Sequence, residues 1–186
     1  MLTPKRNGYS LIEILFCLAL ISIVSAYGAH ALSQFLREKE SMLLAHELLK
    51  AIHAAADYTR IHHMPLSLCQ TDATLQCEQR DSDRLLLFVD QNAQGKLFDK
   101  ADVIAVQQLN LRGGQLKWHF YPHYREHLHF TSRNSLTADN GTLWYCAASS
   151  NIPSFAIVVD AHANTRLLNA SPHQRLEDSE GRALSC

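Results

Sequence analysis

The sequence predicts an α+β protein in which a long N-terminal helix packs on antiparallel β-sheets. Residues 14–29 carry no charged side chain, so the chain starts with a strongly apolar segment. No proline or glycine occurs from residue 29 to residue 64, which allows one helix to continue far beyond that segment. After Pro65 the pattern changes to short apolar runs separated by turn residues, as antiparallel strands require.

The composition is that of a folded domain, and the net charge argues against partners that are bound mainly by long-range electrostatic attraction. Hydrophobic residues make up 47% of the 186 residues, which is in the globular range. The formal net charge of -1 provides no long-range attraction to nucleic acid or to anionic lipid. Nucleic-acid binding would therefore require a local basic patch.

The first element, from Leu11 to Ala29, is long enough to cross a membrane. As a helix it would span about 28 Å, close to the hydrocarbon thickness of about 30 Å. Lys5 and Arg6 precede it, and Ala29-His30-Ala31 is compatible with cleavage of an ordinary secretory signal. A signal peptide and a plain single-pass anchor are thus two alternatives.

Glu13 favours a third alternative, in which the segment also assembles with copies of its own type. A charge in a membrane helix costs about 2.5–3.5 kcal/mol, and less near the interface. Neither a signal peptide nor a plain anchor gains anything from that cost. If the chain is cut after Gly8, the new amino group of Tyr9 can pair with the Glu13 carboxylate of a neighbouring chain. Such a pair in an apolar bundle would fix the axial register of the subunits.

The apolar pattern then narrows to one helical face, which predicts an amphipathic continuation that ends near Pro65. A continuous helix from Tyr9 to about His62 would be about 80 Å long. We expect its second half to pack on the β-rich domain through Leu32, Phe35, Leu36, Leu43, Leu48, Leu49, Ile52, Ala55 and Ala56.

Short strands separated by turns are predicted for the remainder of the chain. The turn signals are Gln94-Gly95, Gly113-Gly114 and Asn140-Gly141, and the last of these predicts a hairpin. The predicted strands are Leu66–Cys69, Leu85–Val89, Val103–Val106, Leu116–Tyr121, Leu128–Thr131, Thr142–Cys146 and Phe155–Val159.

The cysteines predict disulfides in an exported domain. Cys17 lies in the apolar segment and is expected to be a free thiol, which leaves an even set of four. Cys69 and Cys77 enclose a short polar segment and form the natural local pair, which leaves Cys146 with Cys186. Four cysteines allow three pairings, and the sequence alone does not decide among them.

No pattern in the sequence predicts an enzyme, a cofactor or a metal site. Asp90 to Gly95 resembles a calcium loop only weakly, because later ligand positions hold Gln94 and Ala101, so a polar turn is preferred. His127 and His129 would share one strand face as metal ligands can, but no convincing third ligand follows. We expect His119, His123, His127 and His129 to be exposed or on an edge strand.

The N-terminus resembles the class III signal of type IV pilins and type II secretion pseudopilins. The resemblance rests on Lys5-Arg6-Asn7-Gly8, followed by Tyr9, the acidic Glu13 and the apolar helix. It implies that a prepilin peptidase cleaves the Gly8–Tyr9 bond and N-methylates Tyr9, and that Glu13 is the assembly residue. Tyr9 is a small departure from the usual Phe or Met at that position.

Later segments resemble the GspH/FimT-like family of minor pilins and pseudopilins. They are "LCQTDATLQC", "LFVDQNAQGKLFDKADVI", "LHFTSRNSLTADNGTLWYC" and "FAIVVDAHANTRLL". The resemblance implies a pilin fold and a non-enzymatic subunit of the bacterial inner membrane that enters a type IV pilus or a type II secretion pseudopilus. Its partners would be other pilins or pseudopilins. The implied regions are a leader (1–8), a transmembrane and assembly helix (9–31), an amphipathic helix (32–64) and a β-rich periplasmic domain (65–186).

DNA uptake in natural transformation is the alternative function. Some FimT-like pilins bind DNA through a late G-R-x-R motif, and the corresponding segment here is Ala163-Asn164-Thr165-Arg166, of which only Arg166 matches. The arginines available for a DNA-binding cluster are Arg125, Arg133, Arg166 and Arg175. Tyr121, Tyr124 and Trp144 are the aromatic side chains available to stack on bases.

Overall fold

The computed structural model of the protein describes residues 10–77, 82–121, 125–132, 135–148, 154–169, 176 and 182–186. The chain forms two compact units that divide within the long helix, between Arg37 and Glu38. An apolar N-terminal helix followed by antiparallel sheets confirms the α+β class. The elements are α1 (Leu11–His62), β1 (Leu66–Thr71), β2 (Arg84–Val89), β3 (Val103–Gln108), β4 (Gln115–Tyr121), β5 (His127–Ser132), β6 (Leu136–Ala138), β7 (Asn140–Cys146), β8 (Phe155–Val159) and β9 (Thr165–Asn169).

Helix α1 is continuous, as the absence of proline from its length predicts. It begins after Ser10, whose carbonyl accepts hydrogen bonds from the backbone N–H groups of Glu13 and Ile14. It ends at His62, and the next residue, His63, has a left-handed φ of 55° and donates its N–H to the carbonyl of Thr59. A left-handed residue after the last turn is a common helix terminator, and Pro65 prevents continuation.

The buried face of α1 differs from the predicted face in its N-terminal part. Leu43 is 61% exposed, whereas its neighbour Leu44 is buried, and Leu32, Phe35 and Leu36 are exposed as well. Side chains of consecutive helix residues point about 100° apart. If the predicted face is shifted by one residue, a side chain that was expected in the core therefore lies in solvent. The buried positions of α1 are Ser41, Leu44, Ala45, Leu48, Ile52, Ala55, Ala56 and Thr59.

The described strands form two antiparallel sheets in the second unit. The first sheet has the order β3-β2-β1-β5-β6 and the second has the order β4-β7-β8-β9. The inner faces of both sheets share one apolar core with α1, in which Leu48 and Ile52 meet residues such as Leu68, Phe130 and Ile157. One face of each strand therefore supplies alternate side chains to this core.

The hairpin predicted at Asn140-Gly141 is wrong, because both residues lie inside β7. The chain leaves the first sheet after β6 and enters the second sheet with β7, so no two-residue turn forms there. A Cβ at Gly141 would collide with the carbonyl oxygen of His119 on the paired strand β4. Gly141 is thus required for close approach of two backbones.

A short segment covers the outer face of each sheet, and a disulfide joins each segment to its sheet. On the first sheet, Cys69 and Phe88 pack with Leu75 and Cys77. On the second, Trp144 and Ala156 pack with Leu176 and Leu184. The disulfides are Cys69–Cys77 and Cys146–Cys186, which is the pairing that the sequence spacing favours.

Candidate functional site

The first candidate site is the apolar surface of α1 in the N-terminal unit. From Leu11 to Ala29 every residue is exposed, on all sides of the helix. Among the described residues, Leu11–Ser33 is the one stretch that is long and apolar enough to cross a membrane. An apolar surface of this extent requires lipid or protein around it.

The polar side chains of this stretch suit an apolar environment. The Ser22 hydroxyl donates a hydrogen bond of 2.7 Å to the carbonyl of Ala19 within the helix. Such a bond satisfies a hydroxyl where no water is available. Cys17 is a free thiol, as expected. A Cβ at Gly28 would meet no atom within 4 Å, so Gly28 is not required by a contact within the chain.

Glu13 lies in the first turn of α1, where a negative charge is favoured by the helix dipole. With Ser10 directly before the helix, the segment from Ser10 to Glu13 also has the S-x-x-E pattern of a capping box. The capping-box pattern is visible in the sequence, and it gives Glu13 a second role, at the start of the helix. The predicted cleavage site at Gly8 and Tyr9 lies outside the described residues.

A second polar cluster lies on the outer face of the first sheet. The buried carboxylate of Asp90 accepts hydrogen bonds from the Ser67 hydroxyl (2.8 Å) and from the N–H groups of Gly95 (2.7 Å) and Gln94 (3.2 Å). These bonds close the turn that follows β2, in agreement with the preferred polar turn. The hydroxyl of Ser67 also lies 3.1 Å from Nδ1 of His129.

The histidines of β5 are not on an exposed or edge strand, so that prediction is wrong for them. Strand β5 lies between β1 and β6, and the turn after β2 packs against His127 on its outer face. His127 is only 8% exposed, and its Nε2 finds no hydrogen-bond partner among the described residues. A Cβ at Gly95 would collide with the His127 ring, which shows how closely the turn packs. His123 lies outside the described residues.

Burial controls the charge of this cluster. Loss of solvent lowers the pKa of His129 to about 4, and it also lowers the pKa of His127, with Arg125 acting in the same direction. Asp90 opposes both shifts. Both rings are therefore neutral near neutral pH. In the part of the chain that the structure describes, no group of three or more His, Cys, Asp or Glu is placed to hold a metal ion.

The structure describes two of the four candidate DNA-binding arginines, and their surroundings differ. Arg125 is half-buried and forms an ion pair of 3.5 Å with Asp139, joining the connection between β4 and β5 to the connection between β6 and β7. Arg166 is exposed in β9, opposite Val158. Arg133 and Arg175 lie outside the described residues, so a cluster of the four arginines stays a prediction.

The candidate stacking aromatics also differ from one another. Trp144 is only 7% exposed, packs under the C-terminal segment, and donates its indole N–H to the carbonyl of Ser185. It is therefore not available to a nucleic-acid base. Tyr121 is 72% exposed at the end of β4, whereas Tyr124 lies outside the described residues.

Comparison with known proteins adds no further constraint on the candidate sites. The chain matches no protein-family model, no curated protein and no solved structure.

Proposed function

We propose that the protein is a structural subunit of a pilus-like filament, of the type IV pilin or type II secretion pseudopilin kind. In this proposal the N-terminal half of α1 anchors the chain in the inner membrane. It then packs against the corresponding helices of other subunits when the filament grows. The proposal assigns no catalysis to the chain.

The observation that carries the proposal is the fully exposed apolar surface of α1 from Leu11 to Ala29, with Glu13 in its first turn. A plain anchor would account for the apolar side chains. Glu13 is the feature that a helix partner explains better, because its carboxylate can neutralise the amino group of a neighbouring subunit inside the stack.

The second unit supports the same proposal. It carries two disulfides, which are expected in an exported domain. Within it, one face of α1, from Leu44 to Ala56, is buried in the apolar core. One helix thus belongs to a folded domain at one end and offers an unpartnered apolar surface at the other.

Photo-crosslinking in the cells that produce the protein tests this proposal. A crosslinking amino acid replaces the exposed Phe16, and a second chain carries it at the exposed Tyr121 as a control. We expect the Phe16 probe to form adducts with other chains that have an apolar N-terminal helix. Glu13→Val should reduce these adducts while the second unit stays folded and disulfide-bonded. Adducts with lipid alone, or adducts unchanged by Glu13→Val, would overturn the proposal.

A further inference from the structure

An open polar cavity of about 690 Å³ lies at the C-terminal end of α1, within the second unit. His63 and Pro65 line it where the chain leaves the helix, and Gln91 and Asn92 line it from the turn after β2. The remaining wall consists of side chains on β5, on β6 and between them: His129, Thr131, Ser132, Ser135 and Thr137. A volume of this size is in the range of small-molecule sites. No part of the filament proposal uses it.

The functional groups of the wall indicate the kind of ligand. The lining residues supply amides from Gln91 and Asn92, hydroxyls from serines and threonines, and imidazole rings. No Asp, Glu, Lys or Arg occurs among the described residues that line the cavity. Amides and hydroxyls donate and accept hydrogen bonds, so these side chains match a ligand that does both.

The imidazole of His129 is held in one tautomer by the residues behind it. The Ser67 hydroxyl has one proton, which it donates to Asp90. The contact of 3.1 Å between Ser67 and Nδ1 of His129 therefore requires that Nδ1 is the donor. Nε2 is left as a hydrogen-bond acceptor on a ring that lines the cavity. Burial keeps this ring neutral, because it lowers the pKa of His129 to about 4.

Two strained backbone positions border the same cavity. His63 has a φ of 55° and Ala93 has a φ of 53°, although neither is glycine. Non-glycine residues seldom adopt this left-handed conformation, so surrounding contacts must hold both residues in it. The carbonyl of Pro65 accepts a hydrogen bond of 3.0 Å from the N–H of Asp90. This bond joins the chain segment after α1 to the turn after β2, which are two sides of the cavity. The cavity is thus bordered by fixed backbone, and such preorganisation favours ligand binding.

We propose that this cavity binds an uncharged saccharide unit, whose hydroxyls would bond Gln91, Asn92, Thr137 and the acceptor nitrogen of His129. A saccharide fits the wall because each hydroxyl both donates and accepts, as the amides and hydroxyls of the protein do. The described lining residues provide no charged side chain to pair with a sugar acid or with a phosphorylated sugar.

Titration of the full-length chain in lipid nanodiscs with four neutral disaccharides tests this site. The probes are maltose, cellobiose, lactose and N,N′-diacetylchitobiose, and saturation-transfer NMR detects binding. We expect saturable binding of at least one of them. Asn92→Ala should weaken it roughly tenfold, which corresponds to the loss of a hydrogen bond to the ligand. Thr137→Trp should abolish it by filling the cavity.

Matched controls are available on the exposed strand β3. Gln107→Ala removes an exposed amide elsewhere, and Ala105→Trp adds an exposed tryptophan elsewhere, so both should leave binding unchanged. Asn92 and Thr137 are exposed, so their variants should fold, and circular dichroism checks this. The proposal is overturned if none of the four sugars binds, if binding survives Thr137→Trp, or if digalacturonate binds more tightly than every neutral probe.

Discussion

At the scale of single residues, Glu13 has two physical roles that reinforce each other. Its carboxylate lies in the first turn of α1, at the position from which a capping-box side chain accepts a hydrogen bond from the backbone N–H of the residue before the helix. The same carboxylate is available to the amino group of a neighbouring subunit. The first role requires a hydrogen-bond acceptor near the helix start, whereas the second requires a negative charge.

Glu13→Gln separates these two roles, because glutamine can also complete a capping box but carries no charge. If docking depends on charge, Glu13→Gln should reduce crosslinking from position 16 about as much as Glu13→Val does. Glu47→Gln, a change in the second half of α1, is the control and should have no effect. Retention of normal crosslinking by Glu13→Gln would assign Glu13 to helix capping alone.

The buried histidines of β5 predict a loss of stability in mild acid. Burial lowers the pKa of both His129 and His127, whereas unfolded histidine titrates near about 6.5. As the pH falls from about 6.5 to about 4, the unfolded chain binds more protons than the folded chain, so the free energy of unfolding decreases. The groups that face these rings are Ser67, Cys69, Asp90, Arg125 and Asp139.

Thermal unfolding of a fragment with residues 34–186 measures this effect between pH 7 and pH 4. We expect the melting temperature to fall with acidification and His129→Gln to remove much of that dependence. His46→Gln, at an exposed position of α1, should leave it unchanged. An equal fall in wild type and His129→Gln would show that carboxylates, and not His129, control acid stability.

At the scale of elements, the two halves of α1 face different surroundings, and two leucines in the second half form a matched pair. Leu48 is 1% exposed and Leu43 is 61% exposed. Leu48→Ala should lower the free energy of unfolding of the fragment by about 2–5 kcal/mol, because it leaves a cavity in the core. Leu43→Ala should change it by less than about 0.5 kcal/mol. Similar effects of both in urea unfolding would contradict the buried face described for α1.

The disulfides predict different losses of stability, because they close chain segments of different length. Cys146–Cys186 has a sequence separation of 40 and Cys69–Cys77 has a separation of 8. By loop-closure entropy, replacing both cysteines by alanine should cost about 4 kcal/mol for the first pair and about 2.5 kcal/mol for the second. Urea unfolding of the two double variants measures this order. A larger loss for the shorter loop would contradict it.

The sequence predicts helices and strands correctly where a local pattern determines them. The prediction fails where contacts between distant parts of the chain determine the structure. The long helix follows from the absence of proline along it and of glycine after residue 28, and strands such as β2 and β8 follow from their apolar runs. Strand β6 has three residues and a mixed pattern, so it was missed. Asn140-Gly141 has the sequence pattern of a hairpin turn. Glycine is required at position 141 because the backbone of β4 passes close to it, and this contact cannot be read from the local sequence.

At the scale of the whole molecule, the candidate sites differ in how far the sequence reveals them. Gly8, Tyr9 and Glu13 lie close together in the chain, so their pattern is visible without a structure. The polar cavity joins His63, Asn92 and Thr137, which only the folded sheets bring together. Its hydroxyl and amide side chains are common surface residues, and nothing in their spacing marks them as a site.

The most direct test of the filament account is the mature amino terminus of the protein recovered from cells. The account predicts a chain that begins at Tyr9, because the new amino group of Tyr9 is the proposed partner of Glu13. Mass spectrometry of the N-terminal peptide should therefore find methylated Tyr9 as the first residue. A chain that still carries Met1 to Gly8, or one that begins at Leu32 after ordinary signal cleavage, would contradict the account.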